Sequence, residues 1–553
     1  MSLKNQQKIK IVLLVFAWAF LIFVRFYNLD WGLPFPFHPD ERNIAWQVAR
    51  LKCIDWETCL RPDFFAYGQL SLYTAFFLNQ ILLFFLDGVD VVNISFLSLR
   101  LVSAAAGVFT VYFLVKILRI YRQDTLWEIL LVLLSAVVPV LVQFSHFGTT
   151  ESLLGFFYTA LVYFSLRFLH KQMGVERFIY LSALIWGAAV SSKVSAVFFG
   201  FVPLTAVFFR KDLRLQEAKI YWPQRLAIFL KIVILSFVIS FLFSPYNFAA
   251  FEDFLNSMFY ESSVAAGRIK VFYTQQFEYS LPILFQVFSI FPFALGFALS
   301  FFLIKSMFFW KQRIFLKIFF LIFFLSQSFL YTKWTRFLAP IYPIGALIAF
   351  FEIQRIKSRL LRLLIFILIF LQGAVFFKIY LQEDVRFQAS AWMRENIPSD
   401  ALVLQEIGNV VDLPVFKPNQ KAGFDFKAEV VDLYEFENNP RLRDDVLERL
   451  RQADYFIVPS RRVFANYTCL LPKKEGVLPS VMRFLRDLSY SFDRCDRLQN
   501  DYPALHQFYQ RIFEGDKFVL VSEFSSSPIF YDELSEETFS VFDHPVIRVY
   551  KRL

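Results

Sequence analysis

The sequence predicts a polytopic α-helical membrane protein carrying a small C-terminal α/β domain. Three observations lead there. Of 553 residues, 57% are hydrophobic and 20% aromatic, a composition too apolar for a soluble chain of this length. Apolar runs of about 17 to 25 residues recur, the length that crosses a bilayer core. Past residue 380 these runs stop and charged, mixed periodicity replaces them. The expected division is therefore a membrane domain over 1–380 and a second domain over 381–553.

The apolar segments lie near 9–27, 67–86, 95–118, 126–144, 152–169, 178–192, 194–209, 226–243, 282–304, 314–331, 337–352 and 363–380. The 75 Phe residues mostly fill them. Lys4, Lys8 and Lys10 precede the first run and no small-residue cleavage site follows it, so it reads as an uncleaved span with its N-terminus cytoplasmic. The net charge of +10 sits in short loops between spans, the positive-inside pattern, not in an aromatic-interleaved groove for nucleic acid. Placing Lys116/Arg119/Arg122, Lys171/Arg177, Arg210/Lys211/Arg214, Lys305/Lys311/Arg313/Lys317 and Arg355/Lys357/Arg359/Arg362 inside requires that 67–86 start and end outside. That gives about eleven spans, with interfacial helices in the first outer loop and the C-terminal domain extracytoplasmic.

In the tail, 386–397 reads as a helix ending at Pro398, 401–406 and 454–460 as strands, and 441–453 and 504–513 as helices. Residues 518–524 read as a strand, and 538–552 as two strands around a turn holding Asp543 and His544. The alternation suggests a small α/β domain. Cys53, Cys59, Cys469 and Cys495 all fall outside in this topology, where disulfides persist, and pair most simply as 53–59 and 469–495. No CxxC metal pattern is present. Two sequons, beginning at Asn93 and Asn466, complete the outer features.

The outer edges also gather ionisable side chains, which are costly at a membrane face and invite a functional reading. Asp40 and Glu41 follow His38 and Pro39 in "FPFHPDER". Glu151 closes "SHFGTTES" beside His146. Lys193 stands at another edge, and Lys333 and Arg336 in "TKWTRFLAPIYP". Singly, each reads as an interface charge or a helix-end acid; together they point to one site.

On these residues the chain resembles the C-type (GT-C fold) polyprenyl-phosphate-sugar-dependent glycosyltransferases. That family includes protein O-mannosyltransferases and the aminoarabinose transferases acting on lipid A. "FHPDE" is similar to its Asp-Glu signature, and "SHFGTTESLLGFF" to its second outer-loop motif, where Asp often replaces Glu151. "SLRLVSAAAGVFTVYFLVKIL", "AAVSSKVSAVFF", "KWTRFLAPIYP", "ASAWMRENIPSDALVLQE" and "ETFSVFDHPVIRVYKR" match further segments in order.

The resemblance implies an inverting transfer of a hexose or pentose from a polyprenyl-phosphate donor to an acceptor hydroxyl on the extracytoplasmic face of the cell membrane. Asp40 is the expected base. Glu41 and Glu151 would orient substrate, hold the base, or help bind a divalent cation; no cofactor is otherwise implied. Arg336, Lys333 and Lys193 would hold the donor phosphate. His38 and His146 would shape the cavity, and Tyr246, Arg268, Tyr273 and Glu278 of the 244–281 loop would line or cover it. Membrane lipids and a protein, lipid or glycan acceptor are the expected partners, and nucleic acid is not. The competing class is a transporter or lipid flippase, whose sites usually lie at the bilayer midplane between inverted repeats. Here the charges gather at one face and no internal repeat is visible.

Overall fold

Each long apolar run is helical, since a helix satisfies its own backbone where water is absent. The computed structural model describes residues 3–53, 59–85, 88–210, 222–309, 312–407, 413–416, 426–470, 477–514, 517–526 and 534–553. Among these, Asn5–Phe26, Val91–Tyr121, Glu151–Leu169, Trp222–Phe243, Thr335–Gln354 and Arg359–Leu381 are long and apolar enough to cross a membrane. Shorter apolar helices cover Gln69–Phe85, Val194–Phe209, Phe297–Met307 and Ile314–Ser328.

Two expected spans are broken, each for a visible reason. The run 126–144 bends by 60° between Thr125–Val137 and Pro139–His146, because Pro139 has no N–H to give the carbonyl four residues back. That carbonyl belongs to Ser135, and Arg25 from the first helix donates to it at 2.6 Å and to Ala136 O at 2.9 Å. The buried guanidinium thus replaces the lost helical bonds. The run 282–304 breaks at Gly296, whose φ is +92°. Gln372 bridges the gap, accepting from Phe297 N and donating to Pro292 O. A Cβ on Gly296 would lie 2.8 Å from Gln372 Oε1.

The tail forms a five-stranded sheet of β1 (Leu402–Glu406), β2 (Lys427–Val431), β3 (Tyr455–Val458), β4 (Phe518–Phe524) and β5 (Ile547–Arg552). The order is β2-β1-β3-β5-β4. β1 runs parallel to β2 and β3, and β5 antiparallel to β3 and β4. Helices Val385–Asn396, Pro440–Gln452 and Pro503–Phe513 accompany it. Cys53 bonds to Cys59, and Cys469 to Cys495.

One expected element is corrected. The stretch before β5 is not a strand: Glu537–Ser540 is a short helix capped by the Glu536 side chain. Its neighbours Leu534, Phe539, Val541 and Phe542 belong to the same apolar core as the membrane helices. Gln143 donates to Phe539 O at 2.7 Å and to Asp543, and Tyr380 donates to Asp543 at 2.6 Å. Strand pairing loses here to burial against the apolar helices. Asp543 and His544 are wholly buried and bonded to each other, so they anchor the tail to the helices. The sequon residue Asn466 is buried too, donating its amide to Glu537.

Candidate active site

"HPDE" sets the site by alternate use of a helix start. His38 is the N-cap of Pro39–Arg50, its Nδ1 accepting from Glu41 N, and Pro39 occupies the first turn, where its missing N–H costs nothing. The His38 ring packs against Phe147 and Phe542, with centroids 4.5 and 4.2 Å away. Burial, then the positive charges of Arg336 and Arg100, hold it well below the usual histidine range. It is a neutral cap.

The two acids that follow diverge. Glu41 points inward and is fully buried; Arg100 Nε and Nη2 donate to its two oxygens at 2.6 and 2.8 Å, and Gly148 N donates at 2.7 Å. The same guanidinium donates to Leu29 O and Trp31 O. A Cβ on Gly148 would lie 2.7 Å from Glu41 Oε1, so this approach needs glycine. Asp40 points outward, remains 22% exposed, and forms an ion pair with Arg336, itself 20% exposed.

Arg336 comes from the 3₁₀ turn Thr335–Ile341, and its guanidinium lies 4.7 Å from the Trp334 ring centroid. The tail fixes this turn. Glu536 accepts from Thr335 N at 3.0 Å, Gln276 Nε2 at 2.8 Å, and Thr538 N and Oγ1 at 3.0 and 2.6 Å. Asp40, Glu151 and Arg336 share the wall of one narrow cleft with Gln143, Thr335 and Phe542. Glu151 begins its helix and receives Lys193 Nζ at 3.2 Å; Lys193 also lies 5.2 Å from the Tyr67 ring centroid. A second crevice continues from Phe144 and Glu151 between Gly107, Gly155 and Pro343.

The remaining candidates lie elsewhere. Lys333 Nζ donates to Ser280 Oγ and Tyr331 O, and burial lowers it to about 8. His146 is buried, its ring nitrogens against Val142 O and Tyr27 O. Tyr246 OH donates to Cys59 O, Glu278 takes Lys270 and Tyr331, Tyr273 lies 6.2 Å from Trp334, and Arg268 is exposed. Sequence reasoning missed Arg100, Thr335, Gln143 and Glu536. Arg100 carried a signal, as a lone charge within an apolar run; the others carried none.

The three carboxylates do not fit a divalent cation. Each is already opposed by its own cation, Asp40 by Arg336, Glu41 by Arg100 and Glu151 by Lys193. Among the described residues no three His, Cys, Asp or Glu side chains gather as a metal site.

Residues 81–241 match the family model described as dolichyl-phosphate-mannose-protein mannosyltransferase. The resemblance to GT-C glycosyltransferases read from the motifs is borne out over this segment. No curated protein sequence matches the chain. Among solved structures, ArnT from Cupriavidus metallidurans bound to undecaprenyl phosphate is similar at 13% identity, over 85% of this chain and 96% of that one, with a TM-score of 0.46. The apo Archaeoglobus fulgidus oligosaccharyltransferase is similar at 12% identity over 98% and 88%, with a TM-score of 0.44. The Saccharomyces cerevisiae protein O-mannosyltransferase Pmt1-Pmt2 complex bound to its sugar donor is similar at 17% identity over 46% and 34%, with a TM-score of 0.34.

Proposed function

We propose that the chain is an inverting glycosyltransferase that moves a sugar from a polyprenyl-phosphate donor to an acceptor hydroxyl at the extracytoplasmic face. The observation that carries this reading is the pairing of Asp40 with Arg336 in one cleft. A carboxylate able to take a proton stands beside a guanidinium suited to a phosphate, at the ends of apolar helices. The basic loops and the two disulfides support the outward orientation.

The chemistry asks little more. The acceptor oxygen attacks the anomeric carbon as the bond from that carbon to the phosphate oxygen breaks. The electron pair leaves with the polyprenyl phosphate, and the acceptor proton passes to Asp40. The leaving group is a stable anion, so no acid need protonate it, unlike in glycoside hydrolysis. Arg336 stabilises its growing charge. Glu151, held by Lys193, faces the same space and is placed to orient sugar hydroxyls. Glu41 acts through structure, holding the helix start that aims Asp40.

The test is transfer of labelled sugar from polyprenyl-phosphate donors by purified protein in detergent. Asp40→Asn should abolish transfer, by about 10² to 10⁴-fold, with an unchanged melting temperature. Near-normal turnover by that variant would remove Asp40 as the base. Transport of the labelled lipid without any transfer would favour the flippase class instead.

A further inference from the structure

The ion pair between Asp40 and Arg336 leaves part of its surroundings unmatched. The Thr335 side chain is 2% exposed and lines the cleft, yet its Oγ1 has no hydrogen-bond partner among the described residues. Arg336 Nε, also buried, has none either. Buried donors without partners cost about 1–3 kcal/mol each. The backbone of the turn that carries them is held on both sides. Glu536 takes the Thr335 N–H, and Tyr342 OH donates to Thr335 O at 3.0 Å. One carboxylate on one guanidinium therefore fills only part of a seat that presents more donors.

We propose that Asp40 stands in for the donor phosphate: a polyprenyl phosphate group takes Arg336 and the Thr335 hydroxyl, displaces Asp40, and so frees its carboxylate to accept the acceptor's proton. This rests on the glycosyltransferase reading above and adds Thr335 as a phosphate-binding residue. Tetrahedral phosphate offers several acceptor oxygens to a carboxylate's two, so it can meet the guanidinium and the hydroxyl together. The exchange ties activation of the base to occupancy of the donor site. It also makes the released polyprenyl monophosphate, which carries more negative charge than the sugar-linked diester, a competitive ligand for the same seat.

Binding of a polyprenyl monophosphate to the purified full-length chain in lipid nanodiscs tests this directly. If Asp40 competes for Arg336, Asp40→Asn should bind this probe about tenfold more tightly than wild type, although it is inactive in transfer. Thr335→Val should bind roughly five- to tenfold more weakly without a fall in melting temperature, and Thr335→Ser should bind like wild type. Wild-type binding together with unchanged or weaker binding by Asp40→Asn overturns the exchange alone. Equal affinities for Thr335→Val and Thr335→Ser overturn the role of that hydroxyl. Absence of binding by every protein, wild type included, instead overturns the polyprenyl-phosphate reading on which the exchange rests.

Discussion

Arg100 grips both oxygens of Glu41, with side chains 2% and 0% exposed, while the adjacent Asp40 faces the cleft. One helix turn thus holds a structural acid beside a candidate catalytic one. Removing one member of a buried ion pair strands the other charge and costs about 3–5 kcal/mol. Glu41→Ala should therefore lower the melting temperature and yield of the purified protein. The double variant Glu41→Gln/Arg100→Gln should recover part of that loss, because no charge is left unpaired. A Glu41→Ala protein as stable as wild type, yet inactive, would instead place Glu41 in the chemistry.

Glu151 depends on reach. Its carboxylate meets Lys193 at 3.2 Å, and Glu151→Asp withdraws it by one methylene while keeping its charge. Misplacement on the order of 1 Å costs up to roughly 10²-fold in rate. Glu151→Asp should therefore reduce kcat/KM by about tenfold with thermal unfolding little changed, and Glu151→Gln by about a hundredfold with a lowered melting temperature, because Lys193 loses its partner. If the two variants turned over equally, the position of this charge would not matter to transfer.

The grouping of Asp40, Glu151, Lys193 and Arg336 is legible in the sequence, because charge at a membrane edge is rare enough to be counted. The sequence names Asp40 as the base but leaves Glu41 open between orienting substrate, holding the base and binding a cation. Adjacent residues on a helix point about 100° apart, and Arg100, set within an apolar run, decides together with Gly148 N which one turns inward. The strands β1, β3, β4 and β5 were legible from alternation. Residues 537–543 were not, because their partners Gln143, Gln276 and Tyr380 lie hundreds of positions away. Local pattern favoured a strand there, and contact with the membrane helices overrode it.

Glu536 acts as a positioning residue, since it accepts from Thr335 N, Gln276 Nε2 and two Thr538 donors but touches none of the cleft's reacting groups. Glu536→Gln replaces one accepting oxygen with an amide that donates, turning an attraction into a clash of donors. The Thr335–Arg336 turn should then loosen. The expected result is a donor KM raised about tenfold with a smaller change in kcat, since lost ground-state binding appears mainly in KM. A fall in kcat alone, with donor KM unchanged, would contradict this role.

The C-terminal sheet carries its own pH dependence in Glu406 of β1. Burial pushes its carboxyl up to about 8, and Tyr509 OH donates to it at 2.7 Å. In the unfolded chain a glutamate titrates near pH 4.3, so between about 4.3 and 8 the folded state binds the proton more strongly. Stability from this group is thus fully present below about pH 4.3 and is lost as pH rises through 8. Unfolding of the full chain, followed by tail-specific hydrogen exchange from pH 5.5 to 8.5, should show protection of β1 and helix Pro503–Phe513 falling with pH. Glu406→Gln keeps an acceptor for Tyr509 and cannot ionise, so it should flatten that slope and exceed wild type in stability at pH 8. A slope unchanged in Glu406→Gln would assign the pH dependence to another group.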